Sequence, residues 1–348
     1  MISYDTFLGV DYPTLWYLVV GGLFSGYAIL DGFDFGSGAW HLFFKKEENR
    51  RIALNAIGPV WDGNEVWLVI GGGALFAGFP VMYASLFSSM YVPFMLFLVF
   101  IIFRAVSIEF RSKEPMKWWR KSWDIAYSIS SIMLAFLLGV VLGNVLQGIA
   151  IDENFNYHGD GFFDFLGIYP ILVGLTTLSL FTMHGGIFLL FKTEGRLYQK
   201  IRMYLSKSIA FFILTFATTS FYTILFLDHL TNRFKESPVL FVFPLVTMLC
   251  IANIPRLVKK KKFHFAFVFS ALSIAFMLGL VALELYPTLL ISTLDSANHI
   301  TIYNSASSSD SLGIMLLIAA IGTPLVLGYT IFVYTTFKGK VIIDENSY

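Results

Sequence analysis

Two carboxylates three residues apart, Asp62 and Glu65, open the stretch GPVWDGNEVWLVIGGGALFAGFP at positions 58–80, flanked by Trp61 and Trp67. From Val66 onward the same stretch reads as a membrane span. Carboxyl groups are costly in hydrocarbon, usually face the interior of a helix bundle, and often mark ion or proton paths. Two other stretches repeat the pattern: LDGFDFGSG carries Asp31 and Asp34, and FFRAVSIEFRSK carries Arg104 and Glu109. Residues three apart on a helix share one side. Carboxyls that share a face, with a guanidinium to stabilise their ionised forms, have the chemistry for proton exchange. A simpler account exists for one pair. Pro59 suits the first turn of a helix, and acids are favoured near a helix N-terminus by the macrodipole. That covers Asp62 and Glu65. It does not cover Asp31, Asp34 or Glu109, which stand at C-terminal ends, where the dipole disfavours acids.

The elements that position these groups follow from composition. The chain has 348 residues, 57% hydrophobic and 14% charged. Apolar runs of about 20 residues recur from end to end, the length a helix needs to cross a hydrocarbon core of ~30 Å. Continuous rather than alternating runs exclude a barrel, so the fold class is an all-α polytopic membrane protein forming one transmembrane domain over 1–348. Nine spans are expected, near 13–35, 57–79, 81–105, 123–147, 166–191, 207–228, 238–257, 264–288 and 312–336. The residues before the first run carry Asp5 and Asp11 and no Lys or Arg, unlike a cleavable signal peptide.

The connections alternate in charge. Arg233 and Lys235 aside, the 24 Lys and Arg residues fall on one side of the expected spans; Asp152, Glu153, Asp160, Asp164, Asp295 and Asp310 fall on the other. The positive-inside rule makes the basic side cytoplasmic, placing the N-terminus outside and the C-terminus inside. Asp31 and Asp34, then Asp62 and Glu65, then Arg104 and Glu109 thereby reach similar depth from three consecutive spans. Asp62 lies roughly 15 Å along a helix from Arg51, at or inside the hydrocarbon boundary. The stretch RSKEPMKWWRKSW reads as an interfacial anchor.

Other features carry less. His184 in LFTMHGGIFLL is the only histidine near mid-membrane, and reads as a packed, hydrogen-bonded side chain. Glycines in GGLFSG and GGGALFAG are expected to permit close helix packing. Cys250 stands alone in an apolar run and admits no intrachain disulfide. With one deep histidine and no cysteine cluster, the chain is expected to ligate no haem and no metal. A net charge of +1 argues against a nucleic-acid partner.

Taken in order, LDGFDFG, GPVWDGNEVWLVIGGGALFAGFP, FFRAVSIEFRSK and GNVLQG resemble subunit II of the bacterial cytochrome bd-type quinol oxidases. The match runs through the first four spans, and the nine-span topology fits the whole chain. The resemblance implies a multi-pass protein of the bacterial cytoplasmic membrane, paired with a haem-bearing subunit I. It implies haem b and haem d type groups in that partner, quinol as the substrate of the complex and oxygen reduced to water with cytoplasmic protons. This chain itself would bind no haem and hold no catalytic residue. Small single-span accessory subunits, lipid and quinone are the further expected partners. Carried over by motif, Asp62, Trp67 and Glu109 would line a proton entrance at the subunit interface, with Asp31 and Asp34 matching the DGFD motif. Position 109 is Glu where some relatives have Asp, which preserves the acid. Position 65 is Glu where Gln can occur, so the family pattern does not require an acid there. Arg104 completes the expected proton pathway. A proton-coupled secondary transporter is the alternative, but it should show broken helices or inverted repeats about a mid-membrane site. A purely structural assembly subunit is a third reading.

Overall fold

The computed structural model describes residues 4–159 and 161–343; the expected outward position of Asp160 lies outside the described residues. Twelve α-helices account for most of it. They are α1 (Tyr12–His41), α2 (Glu47–Ile57), α3 (Trp61–Gly78), α4 (Pro80–Ser89), α5 (Tyr91–Phe110), α6 (Lys117–Gln147), α7 (Ile168–Lys192), α8 (Gly195–Phe226), the short α9 (Asn232–Glu236), α10 (Val242–Lys259), α11 (Phe263–Leu285) and α12 (Ser309–Thr336). Strands are confined to two small antiparallel pairs, Thr6–Phe7 with Val10–Asp11 and Thr288–Leu290 with Ile300–Thr301. Among the described residues, eight helices are long and apolar enough to cross a membrane alone, and the bent pair α3–α4 brings the number to as many as nine.

α1 is the centre of the bundle. Asp11 caps it by accepting the Thr14 N–H at 2.9 Å, and Pro13 sits in its first turn, where no intrahelical donor is needed. It packs against α3, α6, α7, α11 and α12. From Asp31 to His41 every residue is buried, so this third of the helix is enclosed on all sides. Gly36 and Gly185 make the enclosure possible. A Cβ on Gly36 would stand 1.8 Å from the Phe181 carbonyl oxygen, and one on Gly185 would stand 2.5 Å from the Gly36 carbonyl carbon. Small residues let α1 and α7 touch backbone to backbone, as in other membrane bundles. Among the glycines expected to pack, Gly26, Gly71 and Gly78 meet Trp67, Phe24 and Trp16, whereas Gly21, Gly22, Gly72 and Gly73 face open space.

The third expected span, 81–105, needs correction. α3 and α4 meet at 117° across Phe79, because Pro80 starts a new helix instead of continuing the old one. α4 stays at the far end of the bundle, where Ser305 Oγ accepts the Met82 N–H and Ser85 Oγ donates to the Phe155 carbonyl. The crossing helix is α5, whose 20 residues reach about 30 Å. Arg104 is therefore not at the end of its span: Phe110 lies six residues, about 9 Å, beyond it. The second correction concerns 47–57, which forms a separate amphipathic helix burying Ala53, Leu54, Ala56 and Ile57. The chain turns at Gly58–Val60 before α3, so a straight helical count from Arg51 to Asp62 does not measure depth.

α12 begins beside the start of the chain, with Ser309 Oγ donating to Asp5 at 2.9 Å, and ends at the opposite, lysine-rich end, where the Tyr334 hydroxyl reaches Asn64 at 3.0 Å. Its most apolar stretch contributes no buried residue, leaving that helix open to lipid or to a partner chain.

Candidate functional site

Along α1, Tyr27, Asp31, Asp34, Gly38 and His41 follow one another at intervals of four, three, four and three, which places them on a single face. All are buried. Three other helices bring polar groups to that face: α3 with Asn64 and Glu65, α5 with Arg104, and α6 with Asp124 and Tyr127. The spacing is set locally by the helix, but the convergence is set by packing.

Arg104 is the hub. Its side chain is fully buried, and it ion-pairs with Asp31 (Nη2 to Oδ1, 3.3 Å) and with Glu65 through Nη1. Its guanidinium lies 4.8 Å from the Phe35 ring centroid and 6.0 Å from that of Trp61. Asp34 accepts from Asn64 Nδ2 at 2.8 Å, and the Tyr334 hydroxyl donates to Asn64 Oδ1. Three carboxyls thus gather around one guanidinium. Both Asp31 oxygens, Asp34 Oδ1, Arg104 Nε and Nη2, and the hydroxyls of Tyr27 and Tyr127 are buried without a hydrogen-bond partner among the described residues.

The expected set divides. Asp31, Asp34, Glu65 and Arg104 come together. Asp62 is exposed on the outer face of α3, and Glu109 is half-buried near the end of α5. Glu65, about one helical turn on from Asp62, has a side chain 17% exposed, while that of Asp31 is fully buried. The acids therefore form a gradient of burial from the surface inward. Trp67 packs on Gly26 of α1, 2.8 Å from where a Cβ would stand, whereas Trp61 is the tryptophan whose ring lies 6.0 Å from the guanidinium.

A second charged cluster escaped the sequence reading. At the lysine-rich end, Asp124 bonds to His41 Nε2 at 2.5 Å, Arg111 Nε at 2.6 Å and Arg50 Nη1 at 2.8 Å. Arg111 continues to Glu47 at 2.9 Å, and Arg120 stands 3.5 Å from the same side chain. These pairs tie α1, α2, α6 and the end of α5 together. His41 continues the α1 spacing seven residues past Asp34, the one signal that could have found it. Tyr127 lies between the clusters, its ring edge on His41 at 5.1 Å.

His184 is packed as expected. Its Nε2 faces the Ile29 carbonyl at 3.1 Å, its Nδ1 faces Ser270 Oγ at 2.6 Å, and Phe267 stacks on it at 4.4 Å. A ring nitrogen facing a carbonyl must be the donor, which makes Nδ1 the acceptor. Neither nitrogen is open to a haem iron. Among the described residues, no three His, Cys, Asp or Glu side chains are grouped to hold a metal ion.

The family model for cytochrome bd terminal oxidase subunit II matches residues 12–337. Cytochrome bd ubiquinol oxidase subunit 2 of Bacillus subtilis (strain 168) is 35% identical over 335 residues, covering 95% of this chain and 97% of that relative. Cytochrome bd-I ubiquinol oxidase subunit 2 of Escherichia coli (strain K12) is 29% identical over 369 residues, covering 97% of each. In fold, the chain superposes on one from the bd oxidase of Geobacillus thermodenitrificans with a TM-score of 0.78 at 16% identity, covering 94% of this chain and 98% of that one. A match of this extent decides between oxidase subunit and transporter: this multi-pass membrane protein belongs to the cytochrome bd terminal oxidase subunit II family.

Proposed function

We propose that, within a quinol-oxidising terminal oxidase, this subunit admits protons toward the oxygen-reducing centre through the acids gathered around Arg104. The lysine-rich end would face the cytoplasm. The haems, of b and d type, would be carried by the partner subunit I, with small accessory subunits as further associates. The engaged ring nitrogens of His184 support a chain that ligates no haem at that mid-membrane histidine.

The observation that carries the reading is the burial gradient from exposed Asp62, through Glu65, to Asp31 and Asp34. One guanidinium balances one carboxylate, which leaves further carboxyls able to hold and pass protons. Asp34 Oδ1, Arg104 Nε and the Tyr127 hydroxyl, buried without a hydrogen-bond partner among the described residues and outside the ion pairs, support the same reading. A buried polar group left unpaired costs about 1–3 kcal/mol. So many in one place mark a polar pocket suited to bound water, which commonly satisfies such groups and would join carboxyl to carboxyl. Glu109 would serve the entrance from α5, and Trp67 would hold α3 against α1 rather than contact the acids.

The test is quinol-driven oxygen consumption by the heterodimer carrying Asp62→Asn, Asp31→Asn or Asp34→Asn, with haem content measured in parallel. A positioned proton-transfer group is typically worth 10²–10⁴-fold where nothing bypasses it. Asp34→Asn is expected to lose the most, and Asp62→Asn less, because an exposed mouth is bypassed by water. Full haem content with parental turnover in all three variants across the pH range overturns the proposal. Loss of haem together with activity would assign the cluster a structural role instead.

A further inference from the structure

A separate cavity of about 780 Å³ opens at the lysine-rich end, between the α7–α8 turn, the α10–α11 turn and the segment after α12. Its volume is in the range of small-molecule sites. Its lining is divided by chemistry. Phe191, Tyr198 and Phe263 supply an apolar floor, while Lys261, Lys262 and His264 stand at the exposed rim. The His264 ring stacks on Phe191 at 5.0 Å, which joins rim to floor. None of the four successive lysines, Lys259–Lys262, has an ion-pair partner among the described residues. One acid, Glu194, shares the lining. Lys340 closes a wall: its ammonium donates to the Thr193 and Leu190 carbonyls at 2.8 and 3.3 Å and lies 5.9 Å from the Tyr198 ring.

Lys261 also takes a left-handed backbone conformation, φ 59°. Only glycine adopts that region without steric cost. The turn places a lysine there, with its side chain among those lining the cavity.

We propose that this cavity binds an anionic phospholipid, with its phosphate at Lys261, Lys262 and His264 and the upper part of an acyl chain on the aromatic floor. A solvated charge run would need no concave apolar surface behind it. A free phosphate would leave that floor unused. An amphiphile uses both, and basic pockets between membrane helices bind anionic head groups. The site differs in place from the proton cluster and from the tryptophan-rich first turns of α6, so it stands or falls independently of the proposed proton role.

The test uses the delipidated heterodimer in neutral detergent. It is titrated with mixed micelles containing phosphatidylglycerol, with micelles containing phosphatidylcholine, and with inorganic phosphate. The readouts are retained lipid by native mass spectrometry and the melting temperature. Phosphatidylglycerol should be retained and raise the melting temperature, whereas phosphatidylcholine and phosphate should not. At about 1 kcal/mol for each lysine near a membrane surface, Lys261→Gln with Lys262→Gln should weaken phosphatidylglycerol retention about thirty-fold. Lys262→Gln alone should weaken it about five-fold, and keeps the test open if the pair fails to assemble. Lys261→Arg with Lys262→Arg should preserve it, and Lys117→Gln with Lys121→Gln should leave this site unchanged. Equal retention by the glutamine variants, equal binding of phosphatidylcholine, or equal stabilisation by inorganic phosphate overturns the proposal.

Discussion

Replacing Arg104 with Met tests whether the buried ion pairs hold α1, α3 and α5 together. Met is close in length and carries no charge. The change would leave Asp31, fully buried, and Glu65, 17% exposed, facing each other without their cation. Exposed ion pairs contribute about 0–1 kcal/mol, but removing one partner of a buried pair costs about 3–5 kcal/mol, because the other charge stays buried uncompensated. Burial of the side chain on every side puts Arg104 in the second class. Loss of the guanidinium over Phe35 adds about 0.5–2 kcal/mol. The folding equilibrium constant should fall by about two and a half to five orders of magnitude, at about 1.4 kcal/mol per tenfold. The assay is the yield and melting temperature of the detergent-solubilised heterodimer. The compensating variant, Arg104→Met with Asp31→Asn and Glu65→Gln, removes the stranded charges and should recover most of the loss, since neutral replacement of a buried ionic group is often tolerated. A single variant that melts like the parent refutes the reasoning. So does a triple variant that is no better than the single one, since the stranded charges would then not be the cause.

Gly36→Ala should abolish accumulation of the assembled, haem-containing complex, because its Cβ would enter the Phe181 carbonyl, while Gly72→Ala, with nothing within 4 Å, should accumulate normally. With buried Cys250 replaced, a cysteine at exposed Asp310 should react with impermeant thiol reagents from outside intact cells, and one at exposed Lys260 should not; the reverse pattern inverts the proposed orientation. Asp152, in the α6–α7 connection, has its carboxyl held below the usual range, first by the Asn156 N–H and then by His158 and the Asn154 N–H. A depressed folded-state pKa stabilises the folded loop above the ordinary carboxylate pKa, and that contribution is lost as pH falls through the depressed value. Hydrogen exchange at the Asn154 and Asn156 amides should therefore be slower than in Asp152→Asn near neutral pH, with the difference vanishing in acid. A difference that persists in acid would place the protection elsewhere.

Several features needed only local information. Membrane crossing is a matter of summed transfer cost over about 20 residues, so the apolar runs announced the helices and the lysines marked one end of them. The i, i+3 spacing put Asp31 with Asp34 on a shared face because helix geometry alone dictates it. The motifs LDGFDFG and WDGNEVW pointed to the family before any fold was known. Other features depended on which surfaces meet. The expected spans already broke at Pro80, but apolar composition continued through α4, so only the packed structure showed that α4 stays out of the crossing and α5 makes it. Hydropathy treats Trp61 and Trp67 alike, yet one lies beside Arg104 and the other against Gly26. Lys and Arg in connections read as topological markers, which hid Arg50 and Arg111 converging on Asp124 from separate helices. Asp62 and Glu65 read as one pair because they are three apart. Burial divides them, since a helix rotates about 100° per residue and the neighbours of α3 cover only one side of it. Local sequence sets the conformation of each helix and the face on which a group lies; what that face touches depends on residues tens to hundreds of positions away, and only their packing in three dimensions decides it.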